Sequence, residues 1–532
     1  MSIGHSVGEI LKNHVTLEVE GIDRMYLNAY VPQLQYERGV VGFFRSRDCP
    51  VASGAVMDPI SRAFVASTER FVTTRGIPLV TFLKEQRKDD VAAAFLAAFR
   101  AQEGVLFVGK AQEKVSTFRT QKRRNPTTGK TYPWLYRSTA MVNQYYFYVV
   151  DEDFGPLFIK FSSYFPYTAK VCLNGHEYAK RQLAKQGIPF EALDNGILSC
   201  PEPGLVQGIC DGLTAQKIET VFRKWLARLP HPFTSSDREQ GYRYRLSILQ
   251  AEFSLTQVFD RPQTGRVFFE EVIRENLDMG RPDQVQLIFA RRITKCTPGR
   301  FRTRVITNGV IPSLHVDYKS SRIKQYHKEG RALRTETTIN NTRDFGIGKQ
   351  LSNLAALRQV GFSANRRLLD VQRLSHDCAI GEREFAQFHT PQQVRGQRVA
   401  AMRFGDPRLL ALFAALVMLR LSPHGFTNCM LRRHLAQFEG REPDELKSGR
   451  ISYDLRRLTL RGIVRRIPHT HRYEATGEGL RSALFFLKVY ARVRRPGLSR
   501  THIHTTPSTL RGALKPLDQA LDDCCRRAGI AA

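Results

Sequence analysis

A tyrosine set among lysines is the arrangement in this sequence that most suggests chemistry. In HVDYKSSRIKQYHKEGRALRTETTIN (His315–Asn340), Lys324, Tyr326 and Lys328 recur at period two, as do Arg334, Glu336 and Thr338. If both runs are strands, each set lies on one face of a sheet. Cations beside a phenol lower its cost of ionising and would hold a phosphate, as a phosphotyrosyl DNA-nicking nucleophile requires. Tyr326, Glu336 and Lys328 are therefore candidate catalytic residues. Glu336 and Asp317 could instead ligate Mg2+. The purely structural alternative is a ladder of Arg–Glu and Lys–Glu pairs across neighbouring strands.

Other polar clusters carry weaker signals. Asp151, Glu152 and Asp153 follow an apolar run, and Asp194 or Glu336 could complete a two-metal set with Asp151 and Asp153 around Mg2+ or Mn2+. A tight turn at DEDFGP accounts for the same acids. In Asn174-Gly175-His176-Glu177 the His and Glu could act as an acid/base pair, or simply open a helix behind an Asn cap. Lys88-Asp89-Asp90 has the same ambiguity. The sequence contains no Walker A loop, no GxGxxG after a strand, no HExxH and no GxSxG, which removes the usual support for ATP-driven, dinucleotide and serine-hydrolase readings.

The cadence S-x-x-x-x-Y-x-K from Ser321 to Lys328, followed by R-x-E at Arg334–Glu336, resembles rolling-circle replication initiators of plasmids and filamentous phages. Those families also carry a His–apolar–His metal motif on a strand. Here His502-Ile503-His504 has that spacing in the C-terminal tail, and His469-Thr470-His471 lies far downstream of the tyrosine. The resemblance implies a DNA-processing enzyme of mobile elements, a nicking enzyme or metal-dependent nuclease, as an alternative to a binding protein.

The elements around these residues alternate between helix and strand. Ala63–Thr73 has helical spacing, GIPLVTFL (Gly76–Leu83) reads as a buried strand, and Asp89–Arg100 is a helix with two acids in its first turn. Gly104–Gly109 is the next strand, so an α/β layer is expected here. Met141–Val150 and Leu157–Phe165 read as a hairpin around the Asp151–Pro156 turn. Asn174–Gly187 and Ile218–Leu229 read as helices, and residues 287–340 return to strands. NPTTGKTYP, with Lys122, Arg123 and Arg124 just before it, is expected to be a basic loop. The fold class expected is α/β or α+β, with a mixed-sheet domain over 1–135, a central domain with a basic sheet over 136–380, a linker over 381–403, a further domain over 404–494 and a basic tail over 495–532.

The domain at 404–494 has the clearest pattern. Asp406-Pro407 opens an apolar helix to Leu421. A turn and second helix follow over Ser422–Phe438, with Thr427 as cap, and Ile451–Gly462 forms a third. Ile463–Thr476 reads as two strands around Pro468–Thr470, and Glu478–Val493 as a closing helix. The run YDLRRL–RGIV–R–HRYEAT–G resembles winged helix-turn-helix domains over about 85 residues, in the order third helix, wing, next helix. The resemblance implies that the third helix enters a DNA major groove while the wing touches backbone or minor groove. Arg450, Tyr453, Arg456 and Arg457 would then contact bases or phosphates from the helix. Arg465, Arg466, His471 and Arg472, with His469, would do so from the wing. Most of the chain also resembles an uncharacterised bacterial protein family, which carries no activity with it.

The charge balance agrees with a polyanionic partner. The 532 residues carry a formal charge of +31, of which residues 281–532 hold 46 basic and 20 acidic side chains and residues 1–280 only 35 and 30. A surplus packed into one half repels itself, and a phosphate polymer relieves the repulsion by counterion release. Duplex DNA is the partner expected first, with single strands and RNA next, and a homo-oligomer is compatible with the sequence. Nine scattered cysteines without CxxC spacing exclude a zinc ribbon and a small disulfide scaffold. The longest apolar run, Leu409–Leu421, falls short of the roughly 20 residues that span a bilayer. No membrane partner is expected, no resident cofactor is certain, and the location expected is cytoplasmic.

Overall fold

Strand-forming runs dominate the structure, a computed structural model that describes residues 11–490 except 50, 52, 266–267, 270–299, 309–310, 377–387, 395, 404–405, 420–424, 440 and 469. The expected strand at 287–294, the 495–532 tail with His502 and His504, and His469 lie outside the described residues. The chain divides into two compact units, Val15–Arg266 with Pro298–Asn365, and Met1–His14, Val267–Thr297 and Arg366–Ala532.

The first unit opens with strand β1 (Val15–Tyr30), then helices α1 (Glu37–Arg45) and α2 (Gly54–Arg75), strand β2 (Leu79–Thr81) and helix α3 (Lys88–Ala98). Strands β3 (Gly104–Arg124), β4 (Thr131–Asp151), β5 (Gly155–Ser162) and β6 (Ala169–Asn174) follow. Helix α4 (Gly175–Lys185), the short strands β7 (Glu191–Leu193) and β8 (Gly196–Ser199), and helices α5 (Pro203–Asp211), α6 (Ala215–Arg228) and α7 (Ser235–Glu239) lead to β9 (Arg245–Phe259). Strands β10 (Arg300–Asn308), β11 (Ile311–Lys319), β12 (Ser321–Lys328) and β13 (Ala332–Ile339) close the unit, with helix α8 (Leu354–His376) crossing its boundary.

Eleven of these strands form one mixed sheet in the order β10-β11-β12-β13-β9-β1-β6-β5-β4-β3-β2, with β2 parallel to β3 and the other pairs antiparallel. The α/β expectation therefore holds at the level of a mixed α/β fold with a large mixed sheet. The sheet ignores the expected boundary at 135/136, because that position falls inside β4, whose partners β3 and β5 lie on either side of it. The segment expected as a buried strand at Gly76–Leu83 is only the three-residue edge strand β2, with Leu79 exposed.

The central strands β1 and β6 bury alternate residues, so each presents one apolar face to the core. Leu17, Val19, Val258 and Ala332 face Ala179 and Leu183 of α4 and Val206 and Cys210 of α5 in one buried cluster. Further along the same rows of β9 and β13, Thr256 and Ser254 and then Arg334 and Glu336 replace the apolar residues. One face thus passes from an oily seat for α4 to a polar pocket under its first turn.

In the second unit a small hairpin, β14 (Gln392–Val394) and β15 (Gln397–Val399), precedes helices α9 (Pro407–Leu419), α10 (Asn428–Glu439) and α11 (Ser448–Leu460). Strands β16 (Val464–Arg466) and β17 (Tyr473–Ala475) form a hairpin, and α12 (Gly477–Val489) follows. Phe426 bridges to Tyr473 beside that hairpin. Leu409, Leu412, Phe413 and Leu416 of α9, Leu431 and Leu435 of α10, Ile451, Leu455 and Leu458 of α11, and Phe486 of α12 are all buried. The apolar positions of α11 recur at helical spacing, which directs its remaining positions outward.

Candidate functional site

The two runs around the tyrosine are neighbouring antiparallel strands, with Tyr326 opposite Arg334 and Lys324 opposite Glu336. Arg334 is fully buried, and its guanidinium donates in every direction. Its Nε reaches Glu336 Oε1 at 3.0 Å, and Nη1 reaches the Asn195 carbonyl at 2.7 Å and Thr256 Oγ1 at 3.1 Å. Its Nη2 lies 2.8 Å from Asp23 Oδ2 and 2.6 Å from His176 Nε2. An arginine only donates, so His176 accepts at Nε2 and is neutral. Burial and the adjacent guanidinium agree, holding the imidazole down at about 3.

Local structure aims each of these groups. Asp23 sits in a bulge of β1, where the register against β9 slips between Ile22 and Met25. Its other oxygen accepts from Asn195 Nδ2 at 2.6 Å, and Asn195 Oδ1 accepts from Asn174 Nδ2 at 2.9 Å. Asn174 is also the cap of α4, its Oδ1 accepting from the backbone of His176 at 2.8 Å and Glu177 at 3.3 Å. Gly196, at φ +143°, lets the β7–β8 turn press against the guanidinium, since a Cβ there would stand 3.0 Å from Arg334 Nη1.

One guanidinium faces two carboxylates, and the network is neutral only if one of them keeps its proton. Burial, with the charge of Asp23, pushes Glu336 up to about 7, while the Arg334 guanidinium and the Asn195 amide hold Asp23 well below the usual carboxylate range despite its burial. The Tyr326 hydroxyl donates to Glu336 Oε1 at 2.8 Å, and the Lys324 ammonium lies 4.1 Å over the Tyr326 ring. Burial and then Glu336 push the phenol above its ordinary range. The lysine-assisted ionisation expected from the sequence is outweighed here, because burial and the hydrogen-bonded Glu336 carboxyl both disfavour the phenolate. Lys328 lies further along the strand, 3.4 Å from Glu329 and 3.8 Å from Asp194.

The acidic candidates do not come together. Asp151 is 1% exposed, and its Oδ2 accepts from Lys224 Nζ at 2.9 Å and Trp225 Nε1 at 2.8 Å. Its Oδ1 accepts from the backbone N–H groups of Asp153 and Phe154, so the Asp-Glu-Asp turn uses all of its lone pairs. Asp153 pairs with Lys185. Asp317 stands opposite Arg322 in the register of β11 and β12, at a different place in the sheet from Asp151 and Asp153 on β4 and its turn. Among the described residues, no group of three or more His, Cys, Asp or Glu is placed to hold a metal ion.

In the second unit the arginines of α11 divide along its length. Arg450 and Arg456 are exposed, and Tyr453 is 58% exposed between them. Arg456 donates to Gln397 Oε1 at 2.9 Å, and Arg457 donates to the Ala401 carbonyl. Arg461 donates to the Thr390 and Ala400 carbonyls, each at 2.9 Å. The segment expected as a linker is therefore strapped across the C-terminal end of α11, and Arg457 is turned inward onto it. Arg408 holds the core side, reaching Glu439 at 3.0 Å and Asp454 at 2.6 Å. On the hairpin, Arg465 pairs with Glu474, and Arg466 donates to the Thr470 carbonyl at 2.9 Å. Arg466, His471 and Arg472 are exposed.

Sequence reasoning missed Asp23, Asn195 and Ser254, whose hydroxyl lies 2.9 Å from His176 Nε2, and treated His176 only as a helix opener or a partner of Glu177. Asp23 carried one signal, a lone acid inside the otherwise strand-like run GIDRMYLNAY. Comparison with family models, curated proteins and solved structures finds no match for this chain.

Proposed function

We propose that this chain binds duplex DNA through the helix–hairpin module of its second unit, used as a winged helix. The observation that carries the reading is the exposed face of α11. Arg450, Tyr453 and Arg456 stand at i, i+3 and i+6, and among the described residues none of them pairs with a carboxylate. Cations left without acidic partners on a helix face suit phosphates or guanine edges. Arg466, His471 and Arg472 of the hairpin add a second basic edge, and the positive surplus of residues 281–532 supplies long-range attraction. Arg457, held by the strap, drops from the contact set. The test is titration of the full chain with labelled duplexes over a salt series. The double variant Arg450→Ala, Arg456→Ala should lower affinity and flatten the salt dependence by about one unit of slope per lost phosphate contact. Unchanged binding would refute the assignment.

A second reading rests on the 2.8 Å bond from Tyr326 to Glu336, which sets a phenol beside a carboxylate with a pKa near neutrality. That pairing suits a tyrosyl nucleophile with its general base. Incubation with single-stranded and supercoiled DNA, with Mg2+ or Mn2+, should then give a covalent adduct that Tyr326→Phe abolishes. Absence of an adduct on every substrate leaves the network a structural one.

A further inference from the structure

The hairpin of β3 and β4 continues well past the sheet that roots it. β4 pairs with β5 only from Gln144 to Asp151, and β3 pairs with β2 only from Val108 to Lys110. Beyond those points the two strands pair only with each other, from Gln112–Asn143 to Arg124–Thr131, a ribbon about 40 Å long at strand rise. Its turn is tied by Asn125, whose Oδ1 accepts from the backbone of Thr127 at 2.9 Å and Thr128 at 3.1 Å, so the basic tip is ordered.

The two faces of this ribbon differ. On one, Phe118 and Leu135 are buried, Phe118 lies 6.1 Å from Phe165, and Arg137 donates to the Gln35 carbonyl. That face is glued to the body. On the other, Tyr132, Trp134 and Tyr136 recur at period two with 39%, 41% and 36% exposure. They stand opposite Arg123, Gln121 and Arg119 in register, and the Arg123 guanidinium lies 4.5 Å over the Trp134 ring. From Arg119 to Arg137 the chain has six cations and no carboxylate. A hollow lined by Glu37, Arg38, Val41 and Val51 adjoins the indole.

Three aromatic rings stay more than a third exposed in a row, and the ribbon from Arg119 to Arg137 carries no acid of its own to neutralise its cations. We propose that the outer face of this ribbon binds single-stranded nucleic acid, its bases stacking on Tyr132, Trp134 and Tyr136 and its phosphates meeting Arg119 and Arg123 on the same face and Lys130 at the tip. Residues two apart on a strand stand about 6.8 Å from each other, room for a base to lie on each ring. A duplex hides its base faces within the stack and could use only the cations, so the aromatic row selects for a single strand. The site is separate from the α11 module and does not depend on it.

The chain contains only two tryptophans, and Trp225 is 2% exposed, so Trp134 reports on this face. Titration of the full chain with oligo(dT) and oligo(U) of about 20 nucleotides should quench indole emission, and oligo(dU), which differs from oligo(U) only in the sugar, separates the two backbones. Tyr132→Ala, Trp134→Ala, Tyr136→Ala together should lower single-strand affinity at least about tenfold, with duplex affinity changed less than about twofold. Trp134→Phe, which retains a ring, should keep the affinity and lose the quenching. Arg450→Ala, Arg456→Ala should leave oligo(dT) binding intact, which separates failure here from failure of the duplex reading. Unchanged affinity in the triple variant, quenching that persists in Trp134→Phe, or binding of phosphatidylserine vesicles without binding of either oligonucleotide would overturn the proposal.

Discussion

Arg334 and Arg450 carry the same side chain into opposite circumstances. Arg334 is fully buried between Asp23 and Glu336 and donates to five protein groups. Arg450 is exposed on α11, without a carboxylate partner among the described residues. A count of charges treats the two alike. Burial with full hydrogen bonding marks a guanidinium that organises its own protein, whereas exposure without an acid marks one available to a partner. The same division separates Arg457 from Arg456, one residue apart, since the strap carbonyls hold the former.

The sharpest way to break this comparison is to remove both arginines in turn and measure stability. Arg334→Ala strands Asp23 without its cation and opens a void under α4, so a loss of about 3–5 kcal/mol is expected in urea denaturation. Arg450→Ala should change stability by less than about 0.5 kcal/mol. Equal losses would show that burial does not sort the two roles.

A proton divides the regions as well. The Glu336 carboxyl, about 4.5 in an unfolded chain, rises to about 7 when folded, so its contribution is complete below pH 4.5 and is lost as pH climbs through 7. Asp23 moves the other way. Its folded pKa is depressed, so its contribution is present above about 3.8 and is lost in acid. Between pH 5 and 7.5 the wild type should therefore lose stability relative to Glu336→Gln, which cannot ionise. Parallel denaturation midpoints for the two across that range would mean that Glu336 is charged throughout.

For DNA affinity the order of the two arginines reverses. Arg450→Ala is expected to weaken duplex binding by about 1–3 kcal/mol if the guanidinium reads a base, with a change in sequence preference, or nearly uniformly across sequences if it holds a phosphate. Anisotropy titrations with several duplexes at fixed salt distinguish the two.

The sequence was informative where one face of an element is buried and uninformative elsewhere. The period-two runs of β12 and β13 placed Tyr326, Lys324, Arg334 and Glu336 correctly on one face, because Ile323, Gln325, Leu333 and Thr335 are buried behind them. The three helices and hairpin at 407–475 showed themselves through Leu and Ile at helical spacing. The outer half of the β3–β4 hairpin did not. Its residues are mostly exposed on both sides, so no alternation marks Lys114–Arg124 or Thr131–Ala140 as strand, and only its end, Lys122–Arg124 with NPTTGKTYP, is read from the sequence at all, as a basic loop. Asp23 and Asn195 were illegible for a different reason. They meet Arg334 across 311 and 139 residues of chain, through a bulge and a glycine turn that no local pattern announces.

The smallest effect concerns Arg465, which lies between the two extremes. It is 75% exposed yet paired with Glu474 across the β16–β17 hairpin. An exposed pair of this kind contributes at most about 1 kcal/mol and is screened by salt, so Arg465→Ala and Glu474→Ala should each leave stability nearly unchanged. Their effects on DNA should differ in sign. Removing the arginine subtracts a cation from the hairpin, whereas removing the glutamate frees that cation for phosphate and lifts a repulsion. Glu474→Ala is therefore expected to tighten duplex binding by a few tenths of a kcal/mol at low salt, with the gain fading as salt rises. If both variants weaken binding alike, the hairpin serves the fold of the module rather than contact with DNA, and the recognition surface contracts to α11.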